Sequence, residues 1–168
     1  QKVMVLRVYF KDYPNNSRYS TGDVETFFDQ LDTLWQNTSY GKMSISYQVS
    51  ELFQLPDNRD KYVDDFADGD LSNGDKYGKV LNDAVDNSPA GLNWNNIQAV
   101  MVVMSETDPD QFHRGQANKC NLEMGPGGDV KKVGCAIFSE NPTDSDLNVW
   151  GRWAHEVGHA FQQAGPAH

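Results

Sequence analysis

The feature that most constrains this chain is one stretch near its end, Arg152-Trp153-Ala154-His155-Glu156-Val157-Gly158-His159-Ala160-Phe161. Leu147, Trp150, Trp153, Ala154, Val157, Ala160 and Phe161 recur at helical spacing, which predicts a helix with one apolar, buried face. The other face is left to carry His155 and His159. Residues i and i+4 share one side of a helix, so both imidazoles can aim at a single metal ion while Glu156 projects close beside it. Gly158 leaves room between them. The pattern H-E-x-x-H therefore predicts a zinc site with His155 and His159 as ligands. Zinc lowers the pKa of a bound water toward neutrality, and an adjacent carboxylate can take the proton as the water attacks a polarised carbonyl. The bland alternative is two surface histidines on an ordinary amphipathic helix, and the apolar periodicity around the motif weighs against it.

A third ligand is less firmly marked. His168 follows Gly165-Pro166-Ala167, and a Gly-Pro pair ends a helix and can turn the chain back toward the metal. In the pattern H-E-x-x-H-x-x-G-x-x-H the glycine comes three residues after the second histidine, whereas here three more residues intervene. That insertion advances a helix by about 4.5 Å, large beside a zinc–nitrogen bond of about 2 Å. Two readings stay open: His168 is the third ligand, or a residue beyond the sequence is. His113 stands alone between Asp108-Pro109-Asp110 and a Gly115-Gln116-Ala117-Asn118 stretch read as a loop, and it is left out of the site.

The chain has 168 residues, enough for one domain with a sizeable core, and an apolar fraction of 38%. Its 14 basic against 24 acidic residues give a formal charge of −10, which excludes a phosphate-tracking nucleic-acid face. No run approaches the roughly 20 apolar residues that span a bilayer, so no membrane span is expected. Gln1-Lys2 leading straight into a strand reads as a mature start from which any signal segment is already absent. Cys120 and Cys135 bracket a glycine-rich stretch read as a loop. A disulfide closing it would offset about 3 kcal/mol of loop entropy and implies an oxidising, extracellular compartment. Two free thiols are the alternative; a metal pair is disfavoured because no histidine lies nearby. Asn15 and Asn37 begin N-x-S/T sequons, relevant only to a eukaryotic secretory route.

Along the chain, residues 3–10 read as a buried strand. Ser20 and Asp23 form a capping-box signal ahead of a helical stripe, Val24, Phe27, Phe28, Leu31, Leu34 and Trp35, that stops before Asn37. Met43, Ile45, Tyr47 and Val49 alternate as a strand. Val80, Leu81, Ala84 and Val85 mark a second helix, residues 97–104 another strand, and Ala136-Ile137-Phe138 a short last strand before the site helix. This order predicts a zincin-like α+β domain: a mixed sheet, a backing helix, a last strand near the site, then the zinc helix. Residues 133–138 are the expected open edge, on which an extended substrate could pair, with an interior strand as the equal alternative.

These residues together resemble the immune inhibitor A family of secreted bacterial zinc metallopeptidases. Residues 5–14, ending in Asp12-Tyr13-Pro14, look like that family's opening strand and Asp-x-Pro turn. Phe27-Phe28, then Ser39-Tyr40-Gly41-Lys42 and Leu55-Pro56, are similar to its helix, its Ser-Tyr-Gly-Lys strand entry and the following Leu-Pro. Asp68-Gly69-Asp70 and residues 97–103 resemble its acidic segment and the strand before its catalytic region. The likeness spreads over about two-thirds of the chain, and H-E-x-x-H is its specific part. It implies a secreted metalloendopeptidase acting on protein or peptide substrates, with Glu156 as general base. Two departures stand out. The family's Gly-Leu-x-Asp after the second histidine is replaced by Gln162-Gln163-Ala164 and a delayed glycine, and the methionine turn below such a site is missing. Residues 1–168 are thus expected to form the upper subdomain of a catalytic domain, with the lower subdomain outside the sequence. The alternative from another class is a non-catalytic extracellular binding module that keeps a zinc helix from a protease ancestor; the intact Glu156 argues against it.

Asp64, Asp65, Asp68, Asp70 and Asp75 cluster in a stretch that offers oxygen ligands for calcium. An EF-hand loop counted from Asp68 would need glycine at position six and glutamate at twelve, where Asn73 and Lys79 stand. A solvated acidic loop is the better reading, and calcium the alternative.

Overall fold

The computed structural model describes residues 1–13, 17–63, 77–105, 115–140 and 145–164. Its centre is the apolar strand β1 (Lys2–Tyr9), which pairs in parallel with β2 (Ser46–Val49) and β3 (Phe53–Gln54) on one side and with β4 (Ala99–Met104) on the other. β4 in turn pairs in parallel with β6 (Val130–Ser139), and β5 (Gly115–Glu123) closes that side antiparallel to β6. The sheet is therefore mixed, in the order β2-β1-β4-β6-β5 with β3 continuing the line of β2 along β1. Between β2 and β3 the ladder is interrupted. There the Ser50 hydroxyl accepts the Arg7 N–H at 2.9 Å, so a side chain stands in for the missing backbone acceptor.

Near-continuous apolar strands predict burial on both faces, and both are covered. On one face Val3 and Val5 of β1, Met101 and Val103 of β4, and Ala136 and Phe138 of β6 pack against α1 (Thr21–Thr38) and α4 (Asp146–Ala164). On the other, Met4, Leu6, Val100, Val102 and Ile137 meet Tyr62 of the short α2 (Asp60–Val63) and Val80, Leu81, Ala84 and Val85 of α3 (Tyr77–Asp86). The chain is a mixed α/β fold, consistent with the α+β expectation. The capping box forms as read: Ser20 Oγ accepts from the Asp23 N–H, and Asp23 Oδ2 accepts from the Ser20 N–H at 2.8 Å.

Two local expectations are corrected and one open alternative is decided. The stretch between the cysteines is a β-hairpin rather than a glycine-rich loop: β5 and β6 pair from Gly115↔Phe138 to Glu123↔Val130, turning at residues 124–129. The polar composition of β5 hid it, because a strand with one sheet neighbour and residues such as Asn118, Lys119 and Asn121 carries no apolar run. Of the two equal readings of residues 133–138 the interior strand holds: β6 lies between β4 and β5, and among the described residues β5 is the edge on that side of the sheet. Finally, Leu147 is 81% exposed, not part of the buried face; Val149 takes that role beside Trp153, Val157, Ala160 and Phe161. Cys120 and Cys135 form a disulfide with their Cα atoms 5.9 Å apart. The hairpin register puts Asn118 opposite Cys135 and Val133 opposite Cys120, so the bridge crosses the ladder diagonally on the face away from α4. Among the described residues no helix is long and apolar enough to cross a membrane.

Candidate metal centre

The site helix α4 is held at its seat by what it buries. Trp153, fully buried, stacks on Phe138 of β6 with ring centroids 5.2 Å apart and meets Phe27 of α1 edge-on at 5.6 Å. Phe161 meets Trp35 near the other end of α1. Beneath the helix, β6 carries Gly134, where an added Cβ would fall 2.4 Å from the Ala160 carbonyl oxygen. That contact is far inside van der Waals range, so the helix backbone can lie this close only over a glycine. The residue after His159 is thus pressed directly onto the sheet.

With the apolar stripe turned inward, His155 and His159 are left exposed on the outer side and Glu156 half-buried. The two imidazole rings stand nearly perpendicular, with centroids 4.5 Å apart and Nε2 atoms 2.9 Å apart. Zinc–nitrogen bonds of about 2.0–2.1 Å at a tetrahedral angle would set two ligand nitrogens roughly 3.3 Å apart, so the pair fits one ion after opening by a few tenths of an ångström. Binding requires a lone pair on each Nε2, with the ring protons on Nδ1. Among the described residues no group of three or more His, Cys, Asp or Glu side chains is arranged to hold a metal ion. His168, the sequence-predicted third ligand, lies outside the described residues, as do His113 and the acidic cluster Asp64, Asp65, Asp68, Asp70 and Asp75.

Glu156 lies beside the start of β5, where a Cβ added to Gly115 would fall 3.0 Å from its Cγ and 3.7 Å from its Cδ. The open strand edge and the H-E-x-x-H helix are therefore neighbours. Pairing of the hairpin brings them together, and the sequence offered no apolar signal for it.

A buried polar cluster anchors the chain just before α4. Glu140, 2% exposed at the end of β6, accepts from Ser17 Oγ at 2.9 and 3.0 Å and from the Arg18 N–H at 2.6 Å. Arg7, 4% exposed, donates to Thr21 Oγ1, Ser17 Oγ and the Tyr19 carbonyl. Burial pushes the Glu140 carboxyl above the usual carboxylate range, opposed by the Ser17 and Arg18 hydrogen bonds and by the Arg7 charge. From the same segment, Tyr19 Oη donates to Asp146 Oδ1 at 2.9 Å and Arg18 pairs with that carboxylate, so residues 18 and 19 tie down the first turn of α4. No sequence pattern marked these residues; only an arginine inside an apolar strand run hinted at a buried partner. A groove of about 490 Å³ opens beside this tie, lined by Arg18, Asp23, Gln30, Asp146 and Trp150 among others, and none of His155, Glu156 and His159 borders it.

No protein-family model matches the chain, and no curated protein matches it.

Proposed function

We propose that the protein is a zinc-dependent metalloendopeptidase of zincin-like architecture, secreted, and akin to the immune inhibitor A family. The observation that carries this reading is the convergence of His155 and His159 Nε2 on one point while Glu156 stands one residue away, beside an open strand edge. His155 and His159 would hold the ion, and His168 or another residue would complete the protein ligands. Zinc, when bound, supplies a Lewis acid that acidifies water and polarises a carbonyl oxygen. Glu156 accepts the proton of the attacking water and returns it to the departing amine, as a carboxylate not engaged as a ligand can.

The fold supports the reading in three respects. The mixed sheet, the backing helix α1 and the strand-then-helix order of β6 and α4 are the arrangement expected of a zincin-like upper subdomain. Among the described residues no strand pairs with the outer side of β5, to which an extended peptide can add as a further strand. The Cys120–Cys135 disulfide suits an oxidising, extracellular setting.

The test is metal analysis joined to proteolysis assays. The protein should bind one zinc per chain, and a strong chelator should abolish peptide cleavage. Glu156→Gln should retain zinc and lower the cleavage rate by about 100-fold or more, the scale of a lost general base. Full activity in metal-free protein would remove the assignment. His168→Ala should weaken zinc binding with the far-ultraviolet circular dichroism unchanged; undiminished affinity would remove His168 from the zinc shell. A binding module that merely keeps the helix would hold zinc, cleave nothing, and leave Glu156→Gln silent.

A further inference from the structure

Glu156 occupies its place because residue 115 has no side chain. A Cβ built on Gly115 would lie 3.0 Å from Glu156 Cγ, 3.7 Å from Cδ and 3.8 Å from Oε1. Carbon atoms in comfortable contact sit about 3.5–4.0 Å apart, so even one methyl group would displace the stem of the glutamate. Backbone freedom is not the reason for this glycine. The described glycines with positive φ are Gly41, Gly91, Gly125 and Gly127, whereas Gly115 is an ordinary strand residue paired with Phe138. Two residues on, on the same face of β5, Ala117 also packs toward α4. The beginning of the strand is thus open only to the depth that the glutamate stem fills.

We propose that Gly115 is the positioning residue for Glu156: the gap it leaves in the edge strand receives the methylene stem and fixes the direction of the carboxylate relative to His155 and His159. The inference rests on the reading of Glu156 as proton acceptor in peptide hydrolysis. Its consequence is specific. A side chain at 115 moves the base by a few tenths of an ångström without touching either histidine, so the metal is retained while proton transfer suffers. Misplacement of a catalytic group on this scale lowers the rate on the order of tenfold.

Two measurements test it, and one needs no activity. The first is a double-mutant cycle in thermal stability on chelated protein, using Gly115→Ala, Glu156→Ala and the pair. Gly115→Ala should lower the unfolding midpoint when Glu156 is intact and lower it little or not at all when combined with Glu156→Ala, because the second substitution removes the Cγ that the new methyl meets. Equal losses in both backgrounds would overturn the contact. The second is kinetic, on the zinc-loaded protein: Gly115→Ala should reduce kcat on the order of tenfold, with KM and zinc affinity nearly unchanged. A wild-type kcat, or a loss confined to KM, would overturn the positioning role while leaving the peptidase reading standing. If the wild-type protein neither binds zinc nor cleaves peptides, the peptidase reading falls and the positioning role with it, whereas the stability cycle still reports the packing of Gly115 on Glu156.

Discussion

Among the described residues two carry formal charge in nearly complete burial, Arg7 and Glu140, and neither belongs to the zinc motif. They persist because each charge has polar partners: Ser17, Thr21 and the Tyr19 carbonyl for Arg7, Ser17 and the Arg18 amide for Glu140. The balance still disfavours the carboxylate, since burial raises the Glu140 pKa above its ordinary 4.5. The folded protein then holds that proton more tightly than the unfolded chain. Its stabilising effect is complete below the ordinary carboxylate pKa and declines as pH rises from there through the raised value. Thermal unfolding of the wild type should show this decline on the alkaline side of pH 4.5, and Glu140→Gln, which cannot ionise, should flatten it. A variant with the wild-type slope would place the titration elsewhere. Such a pair is invisible in a sequence because Arg7 and Glu140 lie near opposite ends of the chain, on strands separated by β4, and are linked through Ser17, which hydrogen-bonds both.

Among the elements, α1 was the most legible. Its cap, most of its apolar stripe and its approximate end follow from short-range spacing; Leu34, read into that stripe, is instead 52% exposed, and the helix runs from Thr21 to Thr38, slightly beyond the expected stop before Asn37. The capping box gives it a measurable dependence on one hydroxyl. Ser20→Ala should destabilise the protein by about 1 kcal/mol near neutral pH. The hydrogen bonds from the Ser20 side chain and backbone hold the Asp23 carboxyl below its usual 3.8. A depressed acid contributes stability above its unfolded pKa and loses it as pH falls through the folded value, so the gap between wild type and Ser20→Ala should narrow below about pH 3.8. Chemical denaturation at pH 7 and pH 3 would check this; a gap that stayed constant would detach Asp23 from the cap. The least legible element was β5. Its composition is polar, and what orders it is the ladder to β6 and the disulfide across that ladder rather than any preference of its own.

For the whole molecule, the β5–β6 hairpin is the part that joins the open sheet edge to the site helix. Its cysteine pair shortens the free loop of the unfolded chain, an effect of about 3 kcal/mol for a ring of this size. Cys120→Ser/Cys135→Ser should therefore lower stability by about 2–4 kcal/mol and should increase proteolytic cleavage within residues 115–129 before the rest of the domain opens. Limited proteolysis read by mass spectrometry would locate the first cut. Initial cleavage in α1 or β1 instead would show that the hairpin is held by its packing alone.

What the sequence by itself determined was whatever depends on neighbours along the chain. The i,i+4 spacing puts His155 and His159 side by side, Ser20 and Asp23 close a cap three residues apart, and near-continuous apolar runs make β1 and β4 buried strands. Tertiary structure decided whatever depends on depth and pairing: that β6 is interior and β5 the edge, that Leu147 faces water while Val149 does not, that Gly134 lets the helix settle on the sheet, and that Gly115 faces Glu156. The division follows from the forces involved. Helix periodicity and capping act over one or two turns and leave a mark in the order of residues. Close approach and edge pairing arise between segments far apart in sequence, where only a missing side chain or a backbone hydrogen bond records the contact.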